Sequence, residues 1–281
     1  MHNRPDILEI LTRTQTGEYC TVKEWDTKRI PQTIRSTLQR HGLADAFDGD
    51  DPINADPELA DRFFVAAREM ALELGYHCGD TERIVAVSGE ELDNAVKAAP
   101  SEIFMGFGRD GRLMRSRTPG DPYPVMVCAS LAITMSEDVY PLVTEAIARE
   151  PEIDILGGGS LITWRDHEIL SGTPFETLLG HEQSVLHREL RRRAGRPGMP
   201  GNGVYSAVTE YGQFGGYGSP GGFTANDLAL VLVPAAVKID YRSLHTVVHM
   251  PYHGGLMRFD SYGFIGGMSG PPEGAVLTSV A

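Results

Sequence analysis

The sequence predicts an α/β protein: a TIM-type (β/α)8 barrel, incomplete at the C-terminus, with an N-terminal helical extension. Three observations predict it. From Pro124 onward, short apolar runs alternate with helical stretches, which is the grammar of parallel strands joined by right-handed crossovers. Glycines and polar residues gather where those runs end, as they do on the catalytic face of a barrel. Before about residue 120 the apolar spacing is helical instead. The expected division is therefore 1–120 for the extension and 121–281 for the barrel, with a doubly wound sheet as the other way of closing the same elements.

In the extension, Leu59, Phe63, Ala67, Met70 and Leu74 recur at helical spacing. Asp56 suits the N-cap of that helix, Pro57 its first turn and Gly75 its stop. Ser88 and Glu91 form a capping box for a shorter helix with Leu92, Ala95, Val96 and Ala99 inward. Gly106 to Pro124 reads as an irregular loop rich in glycine, arginine and proline. In the barrel, Val125–Leu131 and Ile153–Gly159 read as buried strands. Ser136 caps the helix after the first. Thr173, Pro174 and Glu176 open the helix after the second, which ends in arginines and Gly195. Gly203–Val208, His245–Met250 and Tyr262–Gly267 read as further strands, and Leu228–Val233 fits strand or helix. Only about five βα units fit where a closed barrel needs eight. The closing GAVLTSVA reads as the middle of an apolar element, so the expectation is a fragment or a chain needing a partner.

Composition narrows the function. Hydrophobic residues make up 41% and charged residues 22%, ordinary for a folded domain. A net charge of −13 argues against nucleic acid as the partner, because phosphate binding needs a basic surface. Met1–Ile10 has no signal-peptide pattern, and no apolar run approaches the ~18 residues of a membrane span. Cys20, Cys78 and Cys128 are far apart and odd in number, which fits reduced thiols in the cytoplasm. Cys128 reads as a small buried apolar residue.

Several motifs carry candidate chemistry. GYGSPG (Gly216–Gly221) matches G-x-G-x-x-G, and Asp240 falls near the distance of a ribose-binding acid. Pro220 and the helix start expected at Thr224–Asn226 favour a plain glycine loop, leaving a dinucleotide-dependent oxidoreductase as the weaker alternative. His245, His249 and His253 recur every fourth residue. On a strand they share one face, but roughly 13 Å would separate the first two, too far for one metal, so no metal ligand is assigned. Glu273, in a glycine/proline turn, would face a barrel's active site and hold an ammonium or move its proton. Glu210 and Tyr211 hold a similar place after the third strand. Gly157 and Gly158, with Gly159, let a large ligand approach a strand end.

Read together, seven stretches resemble the monomethylamine branch of the methylamine:corrinoid methyltransferases: GEYCTVKEWD at Gly17, CGDTERIV at Cys78, GFGRDGRLMRSR at Gly106, SEDVYPLV at Ser136, AGRPGMPG at Ala194, GGFTAND at Gly221 and VKIDYRSL at Val237. They occur in the family's order and spacing over nearly the whole chain. The resemblance implies transfer of a methyl group from a small methylated amine to the Co(I) corrinoid (cobalamin) of a partner corrinoid protein, in a cytoplasmic homo-oligomer. Glu273 would match the family's active-site glutamate, with Glu210 as a second catalytic carboxylate. Tyr211, Ala225, Asn226 and His249 would line the amine site, and Gly157, Gly158 and Gly216 the rim that meets the corrinoid.

Two departures accompany it. Family members acting on monomethylamine carry pyrrolysine within the segment that here reads GGFTAND, and Ala225 is taken to stand in its place. Alanine has no electrophile to bind an amine, so quaternary amines enter as alternative substrates. The family's chain also runs past the point equivalent to Ala281. A catalytically inactive, truncated paralogue that only binds the corrinoid protein is therefore the competing expectation.

Overall fold

The computed structural model describes residues 7–131, 133–203, 206, 209–218 and 220–281. The first half opens with α1 (Ile7–Thr16), the single turn α2 (Val22–Glu24), a π-helical turn and α3 (Ile30–Arg40). Then comes α4 (Pro57–Leu74), which starts and stops as its sequence dictates: the Asp56 side chain accepts from Glu58 N at 2.9 Å, and Gly75 has φ +65°. Strands β1 (Tyr76–Cys78) and β2 (Arg83–Val85) form an antiparallel pair. Next, α5 (Gly89–Ala98) carries both bonds of the Ser88–Glu91 capping box. It has no buried residue, and Val96 is 50% exposed, so the inward face expected for it is corrected: its cap, and not burial, defines it. The expected irregular loop is corrected too. It begins within a hairpin, β3 (Glu102–Met105) against β4 (Arg112–Arg115), closed by a 3₁₀ turn at Gly108–Asp110.

Beyond Pro124 come β5 (Cys128–Ala129), β6 (Thr134–Met135), α6 (Val139–Arg149), β7 (Ile155–Leu156), β8 (Ser160–Leu161) and the hairpin β9 (Thr163–Trp164) with β10 (His167–Glu168). These are followed by α7 (Pro174–Arg193), α8 (Glu210–Gly216), β11 (Leu228–Val233), β12 (Lys238–Ile239), α9 (Tyr241–His249), β13 (Leu256–Ser261) and α10 (Pro272–Val280). Leu228–Val233 is thus a strand. Residues 204, 205, 207 and 208 of the expected strand Gly203–Val208 lie outside the described residues. The next two expected strands are corrected. His245–His249 is the end of α9, whose N-cap Asp240 accepts from Ser243 N at 2.7 Å, and Met250 opens the 3₁₀ turn after it; the strand that follows is β13, ahead of Tyr262–Gly267.

The central architecture is a parallel array in chain order. β5 pairs with β7, Leu156 bridges to Gly201, Asn202 bridges to Leu228, and β11 pairs with β13 over six residues. Helices α6, α7, α8 and α9 lie in the four connections, giving the βα repeat the sequence predicts. Among the described residues the array does not close into a barrel, so the fold is mixed α/β. Its inner face packs Met105, Ile155 and Leu228, with Met126, Cys128 and Leu256 against them. A larger core joins the two halves of the chain: Trp25, Ile34, Phe63 and Met70 pack with Ala236, Val237 and Leu277. Trp25 donates its indole N–H to Ala236 O at 3.0 Å, and β1 pairs with β12. No helix among the described residues is long and apolar enough to cross a membrane.

Candidate functional site

Side chains alternate faces along a strand, so β13 carries Leu256 inward and places Arg258 and Asp260 on the same face, nearer its C-terminal end. Arg258 grips Asp260 with both arms of its guanidinium, at 2.7 and 2.6 Å. Its remaining arm reaches Cys128 Sγ at 3.6 Å. The same sulfur accepts from Asn202 Nδ2 at 3.3 Å and lies 3.5 Å from Ser130 Oγ. Three separate segments of the array thus converge, β5 with the residues after it, Gly201–Asn202 and β13. The side chains of Arg258 and Asp260 are 37% and 15% exposed, so solutes reach them. Carboxylate oxygens each have two acceptor positions, leaving Asp260 able to accept from a ligand N–H while paired with Arg258.

Behind this face a buried network fixes the segment 221–227. Arg191 Nη1 donates to Asp227 Oδ1 at 2.6 Å, both side chains being almost fully enclosed. Asp227 also accepts from Gly201 N at 2.7 Å and Thr224 N at 2.8 Å. Arg191 therefore does more than complement a helix dipole. Thr224–Asp227 is a turn leading into β11, and Gly216 ends α8; both findings correct the expected helix start and remove the geometry a dinucleotide fingerprint needs, a helix opening after the glycines.

The residues singled out from sequence fall in three places. Glu210 and Tyr211 open α8, whose N-cap Thr209 is held by buried Glu176 at 2.6 and 2.8 Å. Tyr211 meets Phe214 edge-on, and Phe214 meets His249 at 4.7 Å between ring centroids. His249 in turn packs on His253 at 4.3 Å. Burial, and then the neighbouring His253, push His249 below the usual imidazole range. Ala225 lies beside Gly254, just past His253, and Asn226 accepts from Gly106 N at 2.9 Å through its backbone oxygen. Gly157 and Gly158 are buried at the end of β7. A Cβ on Gly157 would collide with Ala129 O, so strand packing already requires that glycine. Glu273 stands apart from both groups. It is the second residue of α10, which packs on α3 and α4, and its Oε1 accepts from Phe47 N at 2.9 Å. Among the described residues no group of three or more His, Cys, Asp or Glu side chains is placed to hold a metal.

Asn202, Arg258 and Asp260 were not singled out from sequence. For the last two the signal was the alternation Leu256, Arg258, Asp260, hidden because two charges interrupt an apolar run.

A curved row of parallel strands with polar side chains gathered toward their C-terminal ends defines an α/β protein of the class that places its chemistry at that rim. The family model for monomethylamine methyltransferase MtmB matches residues 5–281, and the chain belongs to that family. Among curated relatives it is 30% identical over 277 residues to monomethylamine methyltransferase MtmB3 of Methanosarcina barkeri. It is 28% identical over 279 residues to MtmB of Methanosarcina mazei. Each alignment covers 98% of this chain and 60% of the relative. The crystal structure of the Methanosarcina barkeri monomethylamine methyltransferase superposes with a TM-score of 0.90 at 28% identity, over 98% of this chain and 59% of that one. A hydroxylamine complex of MtmB matches equally well. The chain thus spans about 60% of the length of the relatives it matches.

Proposed function

We propose that this chain serves in transferring a methyl group from a methylated amine to a corrinoid borne by a partner protein, and that Asp260 holds the amine nitrogen. Family membership supports the reaction class. The observation that carries the site is the Asp260 carboxylate, presented with Arg258 on the array's inner face toward the strands' C-terminal ends. An ammonium N–H donating to Asp260 would leave its methyl group free to face the open ends of the strands. A charge-assisted bond of this kind orients as well as binds.

The residues present fit a corrinoid offered from outside. Arg258 and Cys128 are reachable rather than enclosed. A Co(I) corrinoid, when bound, supplies the electron pair that takes the methyl group. On this chain, Arg258 keeps Asp260 in place through its fork, and the Cys128 sulfur, itself bonded by Asn202, accepts from Arg258.

The test follows loss of Co(I) cobalamin absorbance with monomethylamine and with glycine betaine. D260N is expected to raise KM for the amine and to lower kcat/KM by about tenfold to a hundredfold, the worth of one charge-assisted bond. An unchanged kcat/KM in D260N would refute the assignment of Asp260. Capture of a corrinoid protein with no Co(I) consumption would instead support the binding-module reading.

A further inference from the structure

His245, His249 and His253 recur at every fourth position, and the helix that replaces the expected strand changes what they can do. His249 is the last residue of α9, and His253 ends the 3₁₀ turn that continues it. Residues four apart on a helix are neighbours. The two imidazole centroids are 4.3 Å apart, where a strand would separate the residues by roughly 13 Å. The chain after α8 seats both rings. His249 donates to the backbone oxygen of Tyr217, and because its Nε2 has no hydrogen-bond partner, the donor is Nδ1. Gly218, at φ +80°, backs onto His253 so closely that a Cβ there would lie 2.3 Å from the ring's Cε1. His253 is itself exposed, and no hydrogen bond holds its ring nitrogens among the described residues.

The Nε2 of His249 is withdrawn from solvent with its lone pair unused, which costs free energy unless a donor or an ion occupies it. Its tautomer is the one a ligand histidine adopts. The other ring N–H is tied to a backbone carbonyl, which orients the ring and leaves the lone pair for a metal. Two imidazoles bound to one ion at about 2.0–2.1 Å bring their centroids to within roughly 5 Å, near the separation already present, and the exposed His253 ring is free to turn. We infer that His249 and His253 form a two-histidine chelate for a divalent late transition-metal ion, with His249 binding through Nε2 and water filling the other positions. Among the described residues no third His, Cys, Asp or Glu joins the pair. Imidazole ligands alone suit Ni2+, Cu2+ and Zn2+, and Cu2+ is the tightest bound of these. His245 lies about 12 Å from His253 along the helix axis, with the Phe214 ring against both it and His249, so it stands outside the chelate. The pair shares no residue with the Cys128–Arg258–Asp260 face, and metal binding there is independent of the proposed methyl transfer.

Titration of the whole chain with CuCl2 at about pH 8, above the ordinary imidazole range, tests the pair, with electron paramagnetic resonance counting the nitrogen ligands. One equivalent of Cu2+ carrying two imidazole nitrogens is expected. H253Q removes an exposed ring, so the fold should persist. Its affinity for that equivalent should drop by at least the roughly tenfold to hundredfold that even an outer-shell change costs a metal site. H249Q should lose the same equivalent, and H245Q should keep it. No Cu2+ with two imidazole nitrogens on the unmodified chain, undiminished affinity in H253Q, or an equal loss in H245Q would each overturn the inference.

Discussion

Cys128 Sγ lies 3.6 Å from Arg258 Nη1, although β5 and β13 stand at the two ends of the parallel array. A flat sheet of five strand positions would hold its end strands about 19 Å apart at 4.7–4.9 Å per step. The contact therefore requires the array to curl toward itself, and it is this curvature that creates an inner face. One consequence concerns thiol chemistry. Cys20 and Cys78 are fully buried, while Cys128 is part-exposed. Ellman's reagent should label one thiol in the native protein and all three after denaturation, with C128S losing the native signal. Native labelling that persists in C128S would show that the inner face is arranged differently.

Gly157 touches the backbone of the neighbouring strand so closely that an added methyl group would meet Ala129 O, whereas one on Gly158 would meet the more yielding Tyr140 hydroxyl at 3.1 Å. G157A is expected to cost about 1–3 kcal/mol by overpacking, and G158A less. Denaturant midpoints measure both. A stable G157A defective only in partner binding would instead support the reading of Gly157 as a corrinoid contact.

The Arg191–Asp227 pair is enclosed, with side chains 4% and 3% exposed. D227N would leave the guanidinium without its counter-charge and weaken the ties to Gly201 and Thr224. The expected loss is about 3–5 kcal/mol. Because the partners are coupled, D227N combined with R191M should cost less than the sum of the two single changes. Additive losses in chemical denaturation would mean that the pair does not act as a unit.

His187 donates its Nε2–H to Gly157 O at 2.7 Å. Burial, and then the Arg191 cation, push its imidazole down to about 4. An unfolded chain takes up this proton near the ordinary value of 6.5, whereas the folded one resists until about pH 4. Stability from this group is therefore fully present above pH 6.5 and falls as pH drops toward 4. H187Q removes the titration while keeping a donor for Gly157 O. Its thermal midpoint should vary less across that window than that of the unmodified protein, and identical pH profiles would count against a buried neutral His187.

What could be read along the chain was what a few consecutive residues settle among themselves. Asp56 capping Glu58 N, the reciprocal Ser88–Glu91 bonds and the left-handed stops at Gly75 and Gly195 each close within a handful of residues, so the sequence specifies them wherever they sit. The alternation of strands and helices after Pro124 was legible for the same reason. Family motifs carried the likeness to the methylamine methyltransferases. His245–Met250 misled because Val247, Val248 and Met250 fit a strand as readily as a helix; packing of α9 against α8 and β11, together with the Asp240 cap, decides for the helix. The inner face was beyond local reading altogether. Cys128 and Arg258 are 130 residues apart, and Asn202 and Cys128 are 74 apart. Only the curvature of the paired strands brings them together, and only the docking of α10 on α3 and α4 carries Glu273 away from them.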